Sequence, residues 1–257
     1  MIRTLSLAAW QVRHEQRSFW RNRRAAAFSL AFPLVYLLVL GTLTAGVRLD
    51  VRGIALIDFH VPGIVTWAIV LIAFNGTALR FAHRRADGTF KRVRTTPLPW
   101  AAYVGGALGS TVAVVAVAVA AMLGVGVLAF GAHVRPATLP GLLSALVLGT
   151  ACAVTLGVAA SRLVPRPENG MGILMLITLP LTFVSNVWFP IDGAPAWVRD
   201  LAGAFPLKPL ADALARAFDP ATAGPGLAGG DLLVLGLWAL AGCAMMSRTM
   251  RSLSRRA

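Results

Sequence analysis

Long apolar runs alternate with short polar or basic stretches along the whole chain. Residues 25–46, 61–81, 101–130, 139–163, 170–189 and 232–247 are apolar runs of about the 20 residues a helix needs to cross a hydrocarbon core. As helices they close their own backbone hydrogen bonds, which a single segment in lipid requires. The pattern predicts an all-α membrane protein with six transmembrane helices, a single domain over residues 1–257. Residues 1–24 follow a different rule. Leu5, Ala8, Ala9, Val12, Gln16 and Phe19 share one helical arc, and Arg3, Arg13, Arg17, Arg21 and Arg24 share another, with Trp10 and Trp20 at or near the basic side. That combination predicts an amphipathic helix in the membrane interface, a solvated amphipathic helix being the alternative. No A-x-A-like cleavage site follows and the basic leader is long for a signal peptide, so it is expected to stay attached to a retained first span.

Composition supports a membrane chain. Of 257 residues, 57% are hydrophobic and 13% charged, about half the charged share of a soluble domain. The net charge of +14 does not indicate a nucleic-acid partner, because the basic residues fall between apolar runs and form no continuous face. They do set orientation. The amino terminus, residues 80–94, residues 162–166 and the carboxyl terminus hold 18 of the 24 Lys and Arg residues, which places those segments and both termini in the cytoplasm of a cell-membrane protein. On the other side, residues 191–218 predict short helices at the outer leaflet, with an exterior loop as the alternative. Residues 219–230 then read as a flexible, Gly- and Pro-rich connector within the extracytoplasmic segment 191–230.

Much catalytic chemistry is missing. The chain has no G-x-x-x-x-G-K-[ST] phosphate loop and no serine in a nucleophile elbow. Its histidines (His14, His60, His83, His133) and cysteines (Cys152, Cys243) show no metal-ligand spacing, and both cysteines read as buried helical thiols. No ionisable residue stands in the middle of a span, where an ion-coupled transporter keeps its coupling group. The chain therefore reads as a non-enzyme without its own cofactor or metal. Two polar features remain. Thr178, Thr182, Ser185 and Asn186 form a stripe on the fifth span, with Asn75 and Thr77 on the second; they could line a substrate path or bond neighbouring helices. Gly105-x-x-x-Gly109 and Gly157-x-x-x-Ser161 are spacings that let helices approach closely.

The second feature is the basic stretch 79–100, which carries Arg80, Arg84, Arg85, Lys91, Arg92 and Arg94 between two spans. Phe90, Val93 and Arg94 fall at helical spacing, and Thr95-Thr96-Pro97 predicts a stop. The run from Asp87 through Gly88-Thr89-Phe90-Lys91-Arg92-Val93-Arg94 to Pro97-Leu98-Pro99 resembles the cytoplasmic loop of type 2 permeases of ATP-binding cassette exporters, a group that includes daunorubicin-resistance-like drug permeases. Phe189-Pro190, Pro195-Ala196-Trp197 and Phe205-Pro206-Leu207 resemble the segment after that family's fifth span, so the similarity covers nearly the whole chain. Asp87 departs from the glutamate more usual there, which shortens any ion pair it makes. The resemblance implies a coupling loop over 82–99. In it Arg84, Arg85, Asp87, Gly88, Thr89, Phe90, Lys91, Arg92, Arg94 and Pro97 face a separate ATPase that holds ATP and Mg, with residues 3–20 as a second contact. Phe90 is then an anchor in the ATPase, and Arg92 and Arg94 meet acidic groups; topology signalling and lipid contact are the alternative for the arginines. The resemblance further implies a second permease subunit, in a homodimer, and export. The spans offer hydroxyls, amides and apolar walls but no fixed charge, which points to an amphipathic small molecule, drug-like or lipid-like, as the cargo. A membrane scaffold or channel-like pore is the alternative function.

Overall fold

The computed structural model describes residues 2–49, 54–96 and 98–255. Helix α1 (Ile2–Arg21) breaks at Asn22 and continues as α2 (Arg23–Leu43). A minimal antiparallel hairpin, unforeseen in the sequence, pairs β1 (Arg48–Leu49) with β2 (Ile54–Ala55). The second span follows as α3 (Leu56–Ile69), a π-helical segment over Val70–Asn75, and α4 (Gly76–Ala86). It leads into the short α5 (Thr89–Arg94), then α6 (Trp100–Phe130), α7 (Leu139–Ala160) and α8 (Gly170–Phe183). Two short helices, α9 (Ala196–Ala204) and α10 (Leu207–Ala215), precede α11 (Gly229–Arg255).

Five helical stretches among the described residues are long and apolar enough to cross a membrane: Ala26–Leu43, Leu56–Ala86, Trp100–Phe130, Pro136–Leu163 and Gly229–Met250. The fifth predicted span, residues 170–189, is shorter than its apolar run suggests. Helix α8 has 14 residues, a rise of about 21 Å against a core of about 30 Å. It ends early because residues 185–188 turn back into the bundle. Asn186 adopts a left-handed backbone (φ 56°), and Trp188 packs edge-on against Tyr36 and Trp67, with both ring centroids 5.0 Å away.

The second span is the centre of the bundle. Val61, Ile64, Val65, Ala68 and Ile69 have essentially no exposed surface. They pack with Leu37 of α2, Val114 and Met122 of α6, Leu142 and Ala145 of α7, and Leu210 and Leu214 of α10. Helix α10 is thus inserted among the spans, while α9 leaves Trp197 and Leu201 exposed. Elsewhere the outward faces remain apolar, as at Phe28, Leu128, Val147, Leu176 and Leu240. A bundle whose outside is as greasy as its inside suits lipid as solvent.

Where helices touch, small residues make room. Gly106 and Gly109 of α6 receive Gln11 and Val12 of α1, whereas Gly105 has nothing nearby, so the predicted Gly105-x-x-x-Gly109 pair is only half of the contact. The connector 219–230 is less free than its composition implies. Arg135 Nη1 donates to the carbonyls of Pro220 (2.7 Å) and Thr222 (2.9 Å), and Gly141 N–H donates to the Pro225 carbonyl. Cys152 is buried as expected, but Cys243 lies on an exposed face of α11.

Helix α7 comes close to the second span at Gly157. A Cβ there would stand 2.6 Å from the Phe74 carbonyl oxygen, a backbone atom that cannot swing away. Gly157→Ala is expected to cost about 1–3 kcal/mol through overpacking, read as a lower Tm in detergent. Gly172→Ala, where a Cβ meets nothing within 4 Å, should leave Tm unchanged or raised.

Candidate functional site at the basic end of the second span

Three arginines occupy the last turns of α4, at the edge of an apolar bundle where each needs an acceptor. Arg80 Nη1 donates to Thr111 Oγ1 of α6 (3.1 Å). Arg84 Nη2 pairs with Glu15 Oε2 of α1 at 2.5 Å, and its guanidinium lies 5.2 Å from the centroid of the Tyr103 ring. Arg85 donates to the carbonyls of Ser161 (3.1 Å) and Val164, in and just after the 3-10 turn Ser161–Leu163 that ends α7. Each arginine therefore binds a different element. Together they fasten the end of the second span to α6, α1 and the end of α7.

Helix α1 is docked by polar as well as apolar groups. Gln16 Nε2 donates to Ser110 O (2.8 Å), and Gln11 Nε2 donates to Glu15 Oε1 (3.1 Å). The inward arc thus includes Gln11 and Glu15, and Ala9 of the expected apolar arc is exposed. Trp10 and Trp20 point outward, 61% and 44% exposed. Glu15 is a functional candidate that sequence reasoning missed. The signal was present, because it is the only carboxylate in the first 49 residues, among six arginines in the leader.

Asp87 terminates α4, and Gly88 turns the chain with φ 65°, a conformation that glycine adopts without the Cβ penalty. Helix α5 follows, closed at its far end by the hydroxyls of Thr95 and Thr96, which donate to the Arg92 and Val93 carbonyls. Phe90 does not project outward as an anchor would. It is 4% exposed and packs with Phe81, Tyr103, Val104, Val158 and Met250, with the Trp100 ring 5.4 Å away. The reason is burial: at an apolar rim lined with aromatics, an inward phenyl removes more surface from water than an outward one. Arg84 and Arg85 are likewise engaged within the chain. Asp87, Lys91 and Arg92 are exposed, with Arg92 Nη2 donating to the Asp87 carbonyl (2.7 Å), while Gly88 and Thr89 are half-buried. Only the backbone of Arg94 is described, and Pro97 lies outside the described residues.

The polar stripe faces the interior. Asn75 Nδ2 lies 3.5 Å from Thr178 Oγ1, joining the second span to α8. Thr182 Oγ1 accepts from Trp188 Nε1 (3.1 Å), and Ser185 Oγ donates to the Leu181 carbonyl. Asn186 Nδ2 donates to Asp212 Oδ1 (2.7 Å) and its Oδ1 accepts from Ile191 N–H (2.8 Å). Each of these bonds is made within the chain, and those of Asn75 and Asn186 join α8 and the turn after it to the second span and to α10. Thr77 is fully buried, and its hydroxyl, like Asn75 Oδ1, has no hydrogen-bond partner. No group of three or more metal-ligating side chains occurs among the described residues.

The geometry is that of a short helix clamped by an aromatic ring, with a few charges left facing outward. A family model described as ABC-2 type transporter matches residues 9–218. The daunorubicin resistance ABC transporter permease protein DrrB1 of Streptomyces coeruleorubidus is 31% identical over 189 residues, 70% of this chain and 64% of that protein. The chain thus covers somewhat less than two thirds of this relative's length.

The inward Phe90 and the outward Lys91 predict opposite thermal behaviour. Phe90→Ala is expected to destabilise the purified protein by about 3 kcal/mol or more, as for a buried phenyl. Lys91→Glu should stay within about 0.5 kcal/mol of the parent, as for an exposed residue. Thermal unfolding of both variants in one detergent checks this.

Proposed function

Because the chain belongs to the ABC-2 type transporter family, we propose that it is the permease of an ATP-driven exporter, paired with a second copy and driven by a separate ATPase subunit. One observation carries the reading: α5 holds Lys91 and Arg92 exposed while Phe90 seats it on α4, α6, α7 and α11. A force on α5 then reaches the second span and its neighbours directly. In this reading the basic end of the bundle faces the cytoplasm, as its concentration of Lys and Arg favours, and so do both termini. Helix α8, continued by the turn at residues 184–189, makes the fifth of six crossings. Asp87, Lys91, Arg92 and Arg94 meet the ATPase, and Phe90, Arg84 and Arg85 hold the loop in position. The proposed cargo is an amphipathic small molecule, drug-like or lipid-like. The apolar walls and the name of the DrrB1 relative support it, as does the cost of burying an unpaired charge in such walls.

Lys91→Glu combined with Arg92→Glu tests the coupling role. The double variant should fold and insert like the parent, yet retain the ATPase about tenfold less well on co-purification, a loss of about 1.4 kcal/mol. Stimulation of ATP hydrolysis by amphiphiles should fall with it. Normal retention and normal transport would reduce the loop to a topology signal.

A further inference from the structure

An open cavity of about 450 Å³ runs between α7, α8, α10 and α11, with Phe74 and Val70 of the second span at its floor. Its walls include Cys152, Leu156, Leu181 and Trp238. The polar atoms among them are already used: Thr178 Oγ1 donates to the Leu174 carbonyl, and Trp238 Nε1 donates to the Ala204 carbonyl. Arg162 is the one charged residue among those that line it. It stands at the end of α7, exposed, with no hydrogen bond or ion pair among the described residues. Arg85 lies near enough to repel it, and the Arg85 donors are directed to the Ser161 and Val164 carbonyls. The cavity therefore pairs a long apolar slot with an uncompensated cation at one mouth.

Shape selects the occupant. The α7 wall from Gly149 to Leu163 is about 21 Å long, so the space open to atom centres along it averages about 21 Å² in cross-section, room for a single file of methylene groups. A single hydrocarbon chain fits along this slot, with its headgroup at the Arg162 end. Apolar walls alone give little preference over the surrounding bilayer, since lipid tails are equally apolar. Selectivity must come from the guanidinium, whose planar fork suits phosphate oxygens. Basic residues between spans near the cytoplasmic surface are a recognised means of holding anionic headgroups.

We propose that this cavity is a binding site for one anionic phospholipid, with an acyl chain along α7 and the phosphate on Arg162. The proposal rests on the permease reading only in that α7, α8 and α11 must meet lipid.

Native mass spectrometry of the full-length protein in non-ionic detergent tests it, with dioleoyl phosphatidylglycerol and dioleoyl phosphatidylcholine as probes. Phosphatidylglycerol should be retained about fivefold better. Arg162→Gln should abolish that preference and Arg162→Lys should keep part of it. Leu156→Trp, which fills the slot, should lower retention of both lipids while size-exclusion behaviour confirms folding. Equal retention of the two lipids by the parent, or an unchanged preference in Arg162→Gln, would overturn the site. A dimer that Leu156→Trp dissociates would also overturn it, by assigning the slot to a second copy. Because no ATPase is present in the measurement, its failure leaves the exporter reading standing, and failure of the ATPase test leaves the lipid site standing.

Discussion

Three guanidinium groups within six residues must be satisfied at the rim of an apolar bundle, and the architecture of the basic end follows from where each finds its acceptor. A buried or half-buried arginine left unpaired is costly, so Arg80, Arg84 and Arg85 dictate which helices gather around α4. Thr111 brings α6, Glu15 brings α1, and the Ser161 and Val164 carbonyls bring the end of α7. The most buried span is in this way tied at one end to three neighbours by charge-assisted bonds, stronger than ordinary neutral ones.

Helix α5 sits on that assembly. Six residues are too few to be stable alone, so its position is set by Phe90 in its aromatic pocket and by the Gly88 turn. What the helix presents outward is consequently a small charged surface of fixed orientation. The π-helical segment Val70–Asn75 lies farther along the same span. Its carbonyls at Ala73 and Phe74 press on Gly157 of α7, so the span is gripped by close backbone contact at mid-length and by arginines at its end. A displacement at α5 has a short, densely packed route into the bundle.

Much of this was legible in the chain, for identifiable reasons. Apolar runs mark spans because hydrocarbon admits little else, and five of the six runs match long helices. The fifth run misled because apolarity does not encode where a helix stops: Asn186 ends that stretch by bridging Asp212 and Ile191, partners known only once α10 is in place. Phe90 was legible as important but not as inward, since a six-residue amphipathic helix has no intrinsic facing. The flanking Phe81, Trp100 and Tyr103 were the available hint. Glu15 was hidden by the assumption that the inner face of an interfacial helix is apolar. The connector 219–230 looked free because Arg135, which holds it, lies 85 residues from Pro220 in sequence.

The central claim is that α1 and the end of the second span behave as one unit through Glu15 and Arg84. A double-mutant cycle of Glu15→Gln and Arg84→Gln, read by thermal unfolding of the purified protein, addresses it most directly. The account predicts a favourable coupling of about 1–3 kcal/mol, with the double variant losing much less than the two single losses combined. Losses that add within about 0.5 kcal/mol would show that the two elements are held independently and would contradict it.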